Sequence, residues 1–279
     1  MRRTAWLLAV ALATAACSGS SGPTIPPALV KIVWIAGGQP TLVWANTQSD
    51  AALGALAPPA VQQVDFVFDQ LMDGNKIEND AQPPITVSWL DASGAPTPLD
   101  AQVLYNSEPF YGTTTSYAFV RPTNPGVPCS QTITLALART GLTGSNGQPF
   151  TGPDQVTVMT APLTAAVHLP ASGDAGGSVP VGFMVPIAFS NRVAADGVAP
   201  YVHASTPAGA VPISVVANAS DPTLVYVTAA CAGGWPTTAP VTVTLDAGAP
   251  DAFGGLLVAP ASGTFTAVGA GPATADGGC

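Results

Sequence analysis

The chain has 279 residues, a net charge of −9 and only 8% charged side chains, against 47% hydrophobic residues. This length suits two compact domains of ordinary size, and the acidic balance argues against a nucleic-acid partner. Gly and Pro number 29 each. Because the apolar fraction is too high for a disordered chain, the composition predicts an all-β protein of short strands and many turns.

The first 16 residues have the features of an export signal. Arg2 and Arg3 precede an uncharged run, Ala5 to Ala16, that is too short to cross a membrane as a permanent helix. We therefore predict that residues 1–16 are a cleaved signal peptide. Its removal leaves five basic against sixteen acidic side chains, a net charge of −11, which disfavours nucleic acid and repels an anionic membrane surface.

The residues around the following cysteine indicate a lipid anchor. The run Thr14-Ala15-Ala16-Cys17 resembles the lipobox of bacterial lipoproteins, in which small residues precede a cysteine that is acylated. The resemblance implies that Cys17 becomes the lipidated mature N-terminus and contacts a membrane. Ser18 is the residue type of lipoproteins sent to an outer membrane, so we expect an outer membrane lipoprotein of the bacterial envelope. Thr14, where such motifs have Leu, leaves open an ordinary secretory signal.

Composition and turn signals divide the remainder of the chain. A Ser-, Gly- and Pro-rich stretch is followed by two long segments with strand-like patterns and a polar, Gly-rich end. The predicted parts are a tether at 17–28, one domain at 29–162, a second at 163–269, and a flexible tail at 270–279.

Apolar residues alternate with polar ones in short runs, which is the pattern of half-buried strands. In the clearest run Val64, Phe66 and Phe68 share one face and Asp65 lies on the other. Two earlier runs flank Gly37-Gly38 and predict a hairpin.

An internal repeat is the most informative feature of the sequence. Each half contains, in the same order, a strand that ends in Phe, a cysteine before a Thr-rich strand, and a glycine turn before the closing strand. These landmarks fall at Phe68 and Phe189, at Cys129 and Cys231, and at Gly147 and Gly254.

Both halves resemble the bacterial Ig-like domain named after the S-layer protein SbsA. The matching stretches are VDFVFDQLMDG with TITLALARTGLTGSNGQPFTGPDQVTVMT, and VPIAFSNRVAADG with VTVTLDAGAPDAFGGLLVAPASGTFTA. The resemblance implies two tandem immunoglobulin-like β-sandwich domains that serve as spacers or adhesive modules, without catalytic residues of their own.

The residue types that carry chemistry are sparse. His168 and His203 have no second His or Cys at ligand spacing, and the chain has no nucleophile elbow, phosphate loop or dinucleotide motif. We therefore predict no catalytic residue, no cofactor and no metal site. An enzyme would need two scattered carboxylates to meet within about 10 Å in a cleft. The polar cluster from Asp73 to Asp80 departs from the calcium-loop pattern and predicts a solvated loop.

The cysteines bear on how the domains are arranged. Cys129 and Cys231 occupy equivalent places, so a bond between them requires domains that lie side by side. We favour no bond between these two, and Cys279 is able to reach either. Trp235, within Gly233-Gly234-Trp235-Pro236, is predicted to be exposed in a turn and is our candidate for contact with a partner.

These observations predict a non-enzymatic, lipid-anchored protein of the cell envelope whose Ig-like modules serve spacing, adhesion or assembly. The alternative is an accessory module that binds a glycan or a partner protein, which a contiguous exposed apolar patch would favour.

Overall fold

The computed structural model describes residues 25–46, 56–107, 115–170 and 178–269. Over these residues the chain is nearly all β, with strands in four sheets and two short helices. The sheets form two β-sandwiches of Ig-like type, as the sequence predicted, and each sandwich has its own buried core.

Within the described residues, the first sandwich, domain 1, contains nine strands. They are β1 (Leu29–Ala36), β2 (Gln39–Ala45), β3 (Val61–Phe68), β4 (Ile85–Leu90), β5 (Pro96–Pro98), β6 (Ala101–Asn106), β7 (Ser116–Pro122), β8 (Thr132–Leu137) and β9 (Gln155–Met159). One sheet has the order β2-β1-β3-β7-β6 and the other β5-β4-β8-β9. Helix α1 (Gly74–Asn79) connects β3 to β4.

The second sandwich, domain 2, also contains nine strands in the part of the chain that the structure describes. They are β10 (Ala165–Val167), β11 (Ser178–Pro180), β12 (Val185–Phe189), β13 (Val202–Thr206), β14 (Gly209–Ala210), β15 (Ile213–Ala217), β16 (Leu224–Ala229), β17 (Val241–Leu245) and β18 (Ala261–Val268). The sheet orders are β10-β12-β16-β15 and β11-β18-β17-β13-β14. Helix α2 (Ala195–Val198) and a 3₁₀ turn (Ala199–Tyr201) connect β12 to β13.

The strand orders confirm the internal repeat. The path β1-β3-β7-β6 in domain 1 corresponds to β10-β12-β16-β15 in domain 2, and β5-β4-β8-β9 corresponds to β14-β13-β17-β18. Phe68 and Phe189 are the last residues of the equivalent strands β3 and β12. Domain 1 adds the hairpin strand β2, and domain 2 adds β11, which runs parallel to β18.

Alternation places the large side chains of domain 1 in its core. Val64, Phe66 and Phe68 are all fully buried, whereas Asp65 on the opposite face is half-buried. The predicted hairpin also forms: Gly37 and Gly38 both have positive φ, at 57° and 73°, which is the conformation that a two-residue turn between twisted strands requires.

Each sandwich has two distinct ends. The upper end carries a small hairpin with a glycine at positive φ, over residues 142–150 in domain 1 and 249–257 in domain 2. The lower end carries the cysteine that follows β7 in domain 1, Cys129, or β16 in domain 2, Cys231. The terms upper end and lower end are used in this sense below.

The chain enters domain 1 at its upper end. The Ala28 N–H donates to Asp69 Oδ1 at 2.8 Å, the Asp69 N–H donates back to Ala28 O at 3.1 Å, and the Thr151 N–H donates to Pro27 O at 2.9 Å. Backbone groups of Pro27 and Ala28 thus pair with domain 1, so the last residues of the predicted tether, 17–28, lie against this domain.

Candidate functional site: the interdomain joint and an open sheet face

The lower end of domain 1 meets the upper end of domain 2 through a buried polar cluster, which we call the joint. The Cys129 thiol donates to Asp251 Oδ2 at 3.1 Å. Asn191 Nδ2 donates to the same oxygen at 2.7 Å and to Val127 O at 2.9 Å. Asn191 is fully buried, and Asp251 and Cys129 are only 6% and 5% exposed. Asn191 Nδ2 also donates to Cys129 Sγ at 3.5 Å, so three hydrogen bonds cross between the domains among buried side chains.

The glycine turn of domain 2 positions the carboxylate in this cluster. Asp251 Oδ1 accepts from the Phe253 N–H at 2.8 Å and the Gly255 N–H at 2.7 Å, so one oxygen holds the hairpin and the other faces domain 1. A carboxylate that accepts several N–H donors tolerates burial without a cation beside it.

The electrostatics of the joint keep the Cys129 thiol protonated. Burial, together with the hydrogen bond and charge of Asp251, raises the pKa of Cys129 to about 12. A protonated thiol is able to donate to the carboxylate, whereas a thiolate would repel it. The sulfur is therefore a hydrogen-bond donor in the joint and a poor nucleophile.

An aromatic contact flanks the polar cluster. Trp89 of β4 and Phe253 of the domain 2 hairpin meet edge to face, with ring centroids 6.0 Å apart, and the Arg192 guanidinium lies 5.2 Å from the Phe253 ring centroid. Trp89 is partly buried, and its ring packs across the joint.

Gly126 allows the close approach of the two domains. Its φ is +115°, and a Cβ there would lie 2.8 Å from Asn191 Oδ1 and 3.0 Å from a ring carbon of Phe253. Within the described residues Asn191 Oδ1 has no hydrogen-bond partner, because the atom that it faces is this glycine. Any side chain at Gly126 would push the domains apart.

The segment between the domains is bonded at both of its ends. The Ala161 N–H donates to Ala57 O at 2.8 Å and its carbonyl accepts from the Ser130 N–H at 3.1 Å, which fixes it to domain 1. Three residues later the Thr164 N–H donates to Ser190 Oγ at 2.9 Å, which fixes it to domain 2. The linker is therefore short and fully docked, and the domains stack end to end.

A second feature is an open groove on the outer face of the five-stranded sheet of domain 1, which we call the sheet-face groove. In one row across the strands Val33, Asp65 and Phe119 are in register. The groove has a volume of about 400 Å³ and is further lined by Lys31, Ile35, Pro40, Gln63, Val67, Asn106 and Tyr117. Such a volume lies in the range of small-ligand sites.

Asp65 lies in the floor of this groove. Burial raises its pKa, opposed by the hydrogen bond from Gln63 Nε2 at 2.6 Å and by the charge of Arg121. Gln63 Oε1 in turn accepts from Arg121 at 2.9 Å, and the Arg121 guanidinium lies 5.4 Å from the centroid of the Phe119 ring. A half-buried acid beside an aromatic ring was not predicted from the sequence.

The structure overturns the prediction for Trp235. Its side chain is 0% exposed, it packs edge to face on Phe265 at 5.2 Å, and its indole N–H donates to Phe183 O at 2.6 Å. The Gly-Gly turn folds the ring inward over the lower end of domain 2. Trp235 is a core residue and cannot serve as a surface contact.

The other predicted sites have mixed outcomes. Cys17 lies outside the described residues. The cluster from Asp73 to Asp80 is not a loop but contains α1, in which Ile77 is buried and Glu78 accepts from the Tyr105 N–H at 2.7 Å. His203 is exposed and lies 3.1 Å from Asp246.

Within the described ranges, no three or more His, Cys, Asp or Glu side chains form a group that could hold a metal ion. No helix in these ranges is long and apolar enough to cross a membrane.

The cysteines follow the arrangement that the sequence favoured. Cys129 is a free thiol and Cys231 is disulfide-bonded, so the two are not joined to each other. Each lies at the lower end of its own domain, and the joint residues Asn191 and Asp251 separate them.

Comparisons with known proteins give no family assignment. No protein-family model matches the chain, and no curated protein matches it. Among solved structures, the N-terminal part of the bacterial S-layer protein SbsC is 9% identical, with a TM-score of 0.28, over 88% of this chain and 45% of that one. Titin-A168169 is 13% identical, with a TM-score of 0.24, over 75% and 91%. This chain thus spans less than half of the S-layer structure. TM-scores this low do not establish a relationship to either protein, so the SbsA-type assignment stays a prediction.

Proposed function

We propose that this protein is an exported lipoprotein whose two sandwiches form a rigid spacer between a membrane anchor at one end and the lower end of domain 2 at the other. The observation that carries the proposal is the path of the chain. It enters at the upper end of domain 1, where Pro27 pairs with Thr151, and leaves at the lower end of domain 2, where Val268 O accepts from the Val181 N–H at 3.3 Å.

The joint supports the rigid character of the spacer. Tandem sandwiches on a free linker would swing independently, but here the linker is docked and a buried polar cluster spans the contact. The eight residues of β3 and the eight of β18 each rise about 26 Å along their strands. Stacked end to end, the domains hold their outer ends roughly 50 Å apart or more.

Lipidation of Cys17 is the part of the proposal that the sequence alone supports. The uncharged run before Thr14-Ala15-Ala16-Cys17 and the polar residues after it fit an acylated cysteine. A diacyl anchor holds a folded domain at a membrane without any spanning helix, since each buried methylene contributes about 0.8 kcal/mol.

Detergent phase partitioning tests the anchor. The mature native protein is compared with Cys17→Ser, and the intact mass of each is measured. We expect the native protein to enter the detergent phase with a mass increment of diacylglycerol size, and the variant to stay aqueous. If both stay aqueous and begin unmodified after Ala16, the protein is secreted or periplasmic, and the anchored spacer is wrong.

The sheet-face groove favours a second function, the binding of a neutral glycan by domain 1. The groove lies over the face of the sheet, where β1, β3 and β7 are each paired to a strand on both sides. A ligand in the groove is therefore recognised by side chains and not by strand addition. The Phe119 ring offers an apolar face for the C–H side of a sugar, and Asp65 and Gln63 offer acceptors and a donor for hydroxyl groups.

A repeat-matched pair of variants tests this second function. Asp65 pairs with Phe119 in domain 1, and the equivalent Pro186 pairs with Tyr226 in domain 2. Titration with neutral oligosaccharides, followed by NMR, should shift resonances of domain 1. Phe119→Ala should abolish the shifts, and Tyr226→Ala should preserve them. If no neutral oligosaccharide shifts any resonance, or if both variants lose the shifts equally, the groove does not bind neutral glycans.

A further inference from the structure

The two equivalent cysteines differ in their bonding state. Below domain 1, the Cys129 thiol is covered by domain 2 and donates to Asp251 at 3.1 Å. Cys231 has the same place at the lower end of domain 2. This cysteine is disulfide-bonded.

Two of the three possible partners are excluded. The chain has four cysteines, at positions 17, 129, 231 and 279. Cys129 is a free thiol. Cys17 is too far away: residues 17–24 extend by at most about 28 Å from the upper end of domain 1, whereas Cys231 lies roughly 50 Å or more below that end.

Cys279 lies within reach by chain length. A Cβ at Gly269 would lie 3.7 Å from Val181, so the chain leaves domain 2 beside that residue. Val181 O accepts from the Trp235 N–H at 2.8 Å, and Cys231 O accepts from the Gly234 N–H at 3.0 Å, which places Cys231 in the same cluster. The ten residues 270–279 span up to about 33 Å when extended, which is ample for this separation.

We propose that Cys231 and Cys279 form the disulfide, and that it ties the segment after β18 to the lower end of domain 2. Formation joins Sγ of Cys231 to Sγ of Cys279. The two thiols lose two protons, and their two electrons pass to a disulfide of an oxidising export compartment by thiol exchange. The bond closes a loop over residues 231–279 that contains β17 and β18, and it does not require lipidation of Cys17.

Peptide mapping without reduction tests the bond directly. Since no Lys or Arg follows Arg192, trypsin leaves both cysteines in one peptide, so cleavage before Asp is used instead. It yields peptide 221–245 with Cys231 and peptide 276–279 with Cys279. We expect these two peptides to be linked and to separate on reduction, with Cys129 alkylated only after unfolding.

A variant pair gives a second readout. Cys279→Ser should free one thiol at position 231 and lower the thermal midpoint of domain 2 by about 10 °C, whereas Cys129→Ser should leave the 231–279 linkage intact. Linkage of Cys231 to Cys17 or to a small thiol, or a free Cys279 in the exported protein, would overturn the proposal.

Discussion

Asn191→Asp is the sharpest perturbation of the joint. Asn191 Nδ2 donates to Asp251 Oδ2 at 2.7 Å, so the change replaces a donor by a second negative charge beside the first. Two carboxylates about 4 Å apart repel by about 4 kcal/mol at an effective dielectric constant of about 20. The lost hydrogen bond to a charged group costs about 1.5–3 kcal/mol more.

These costs apply mainly while the joint is closed. In the open form both carboxylates face water, where their repulsion falls to about 1 kcal/mol. Allowing for relaxation of the closed form, we expect opening to be favoured by at least about 3 kcal/mol, which is at least a 100-fold rise in the open population.

Alkylation of Cys129 with a maleimide measures this opening, because domain 2 covers the thiol only in the closed form. Each labelling rate is divided by the rate for the urea-unfolded chain at the same pH. Asn191→Asp should label at least 100-fold faster than the native protein at pH 8, with circular dichroism showing that both domains remain folded. The closed joint raises the pKa of the new carboxyl, so proton binding favours closure and the excess should shrink toward pH 5.

Gln70→Glu is the matched control, since Gln70 holds the equivalent place at the upper end of domain 1, where its amide donates to Ile25 O at 3.0 Å. It makes the same chemical change away from the joint and should label like the native protein. A labelling rate of Asn191→Asp within threefold of the native rate at pH 8 would refute the claim that this cluster closes the joint.

Three further predictions concern stability, each measured by urea denaturation. Trp235→Ala should destabilise domain 2 by about 3–5 kcal/mol, as expected for a buried aromatic residue. A loss of stability below about 1 kcal/mol would instead indicate that Trp235 is exposed in its turn. Gly234 and Gly254 have similar φ, +81° and +84°, but a Cβ at Gly234 would overlap Val181 O, whereas the space at Gly254 is open. Gly234→Ala should therefore cost about 1–3 kcal/mol more than Gly254→Ala, and equal costs would contradict the close contact. Burial raises the pKa of Asp65 above 3.8, so the folded chain binds that proton more tightly than the unfolded chain. Its contribution to stability is present below pH 3.8 and lost as the pH rises through the raised pKa; Asp65→Asn should remove this part of the pH dependence, and an unchanged pH profile would show that the burial has no energetic effect.

The strands and the repeat could be predicted because their signals are local. Alternation at Val64, Phe66 and Phe68 fixes which face is buried whatever else the chain does, and Gly37-Gly38 specifies a turn within two residues. Because the two halves repeat, the strand assigned to one half predicts the equivalent strand in the other, so that the buried position of Phe68 predicts that of Phe189.

The joint could not be predicted, since it assembles residues far apart in sequence. Cys129 and Asp251 are 122 positions apart, and nothing near either residue indicates the other. A difference between the repeats was the available signal: the hairpin turn of domain 1 has Gly144, with no side chain, where domain 2 has Asp251, a residue with an acceptor to offer a neighbouring domain.

The failure at Trp235 has a related cause. A Gly-Gly-Trp-Pro sequence is typical of an exposed turn, and the local pattern contains no information about what lies beneath it. Here Phe183 O supplies an acceptor for the indole N–H and Phe265 supplies an apolar surface, so tertiary contacts decide the position of the ring.

Small-angle X-ray scattering of the unlipidated mature chain, residues 17–279 with Cys17→Ser, tests the central claim most directly. A compact chain of this size has a radius of gyration of about 18 Å, and two sandwiches side by side give nearly the same value. A strand of about 26 Å with a turn of roughly 6 Å at each end makes a sandwich roughly 38 Å long, so two stacked sandwiches have centres roughly 38 Å apart and a radius of gyration of about 23 Å. We predict a value near 23 Å with the scattering profile of a single rigid, elongated particle. A value near 18 Å, or the profile of two domains on a flexible linker, would contradict the spacer.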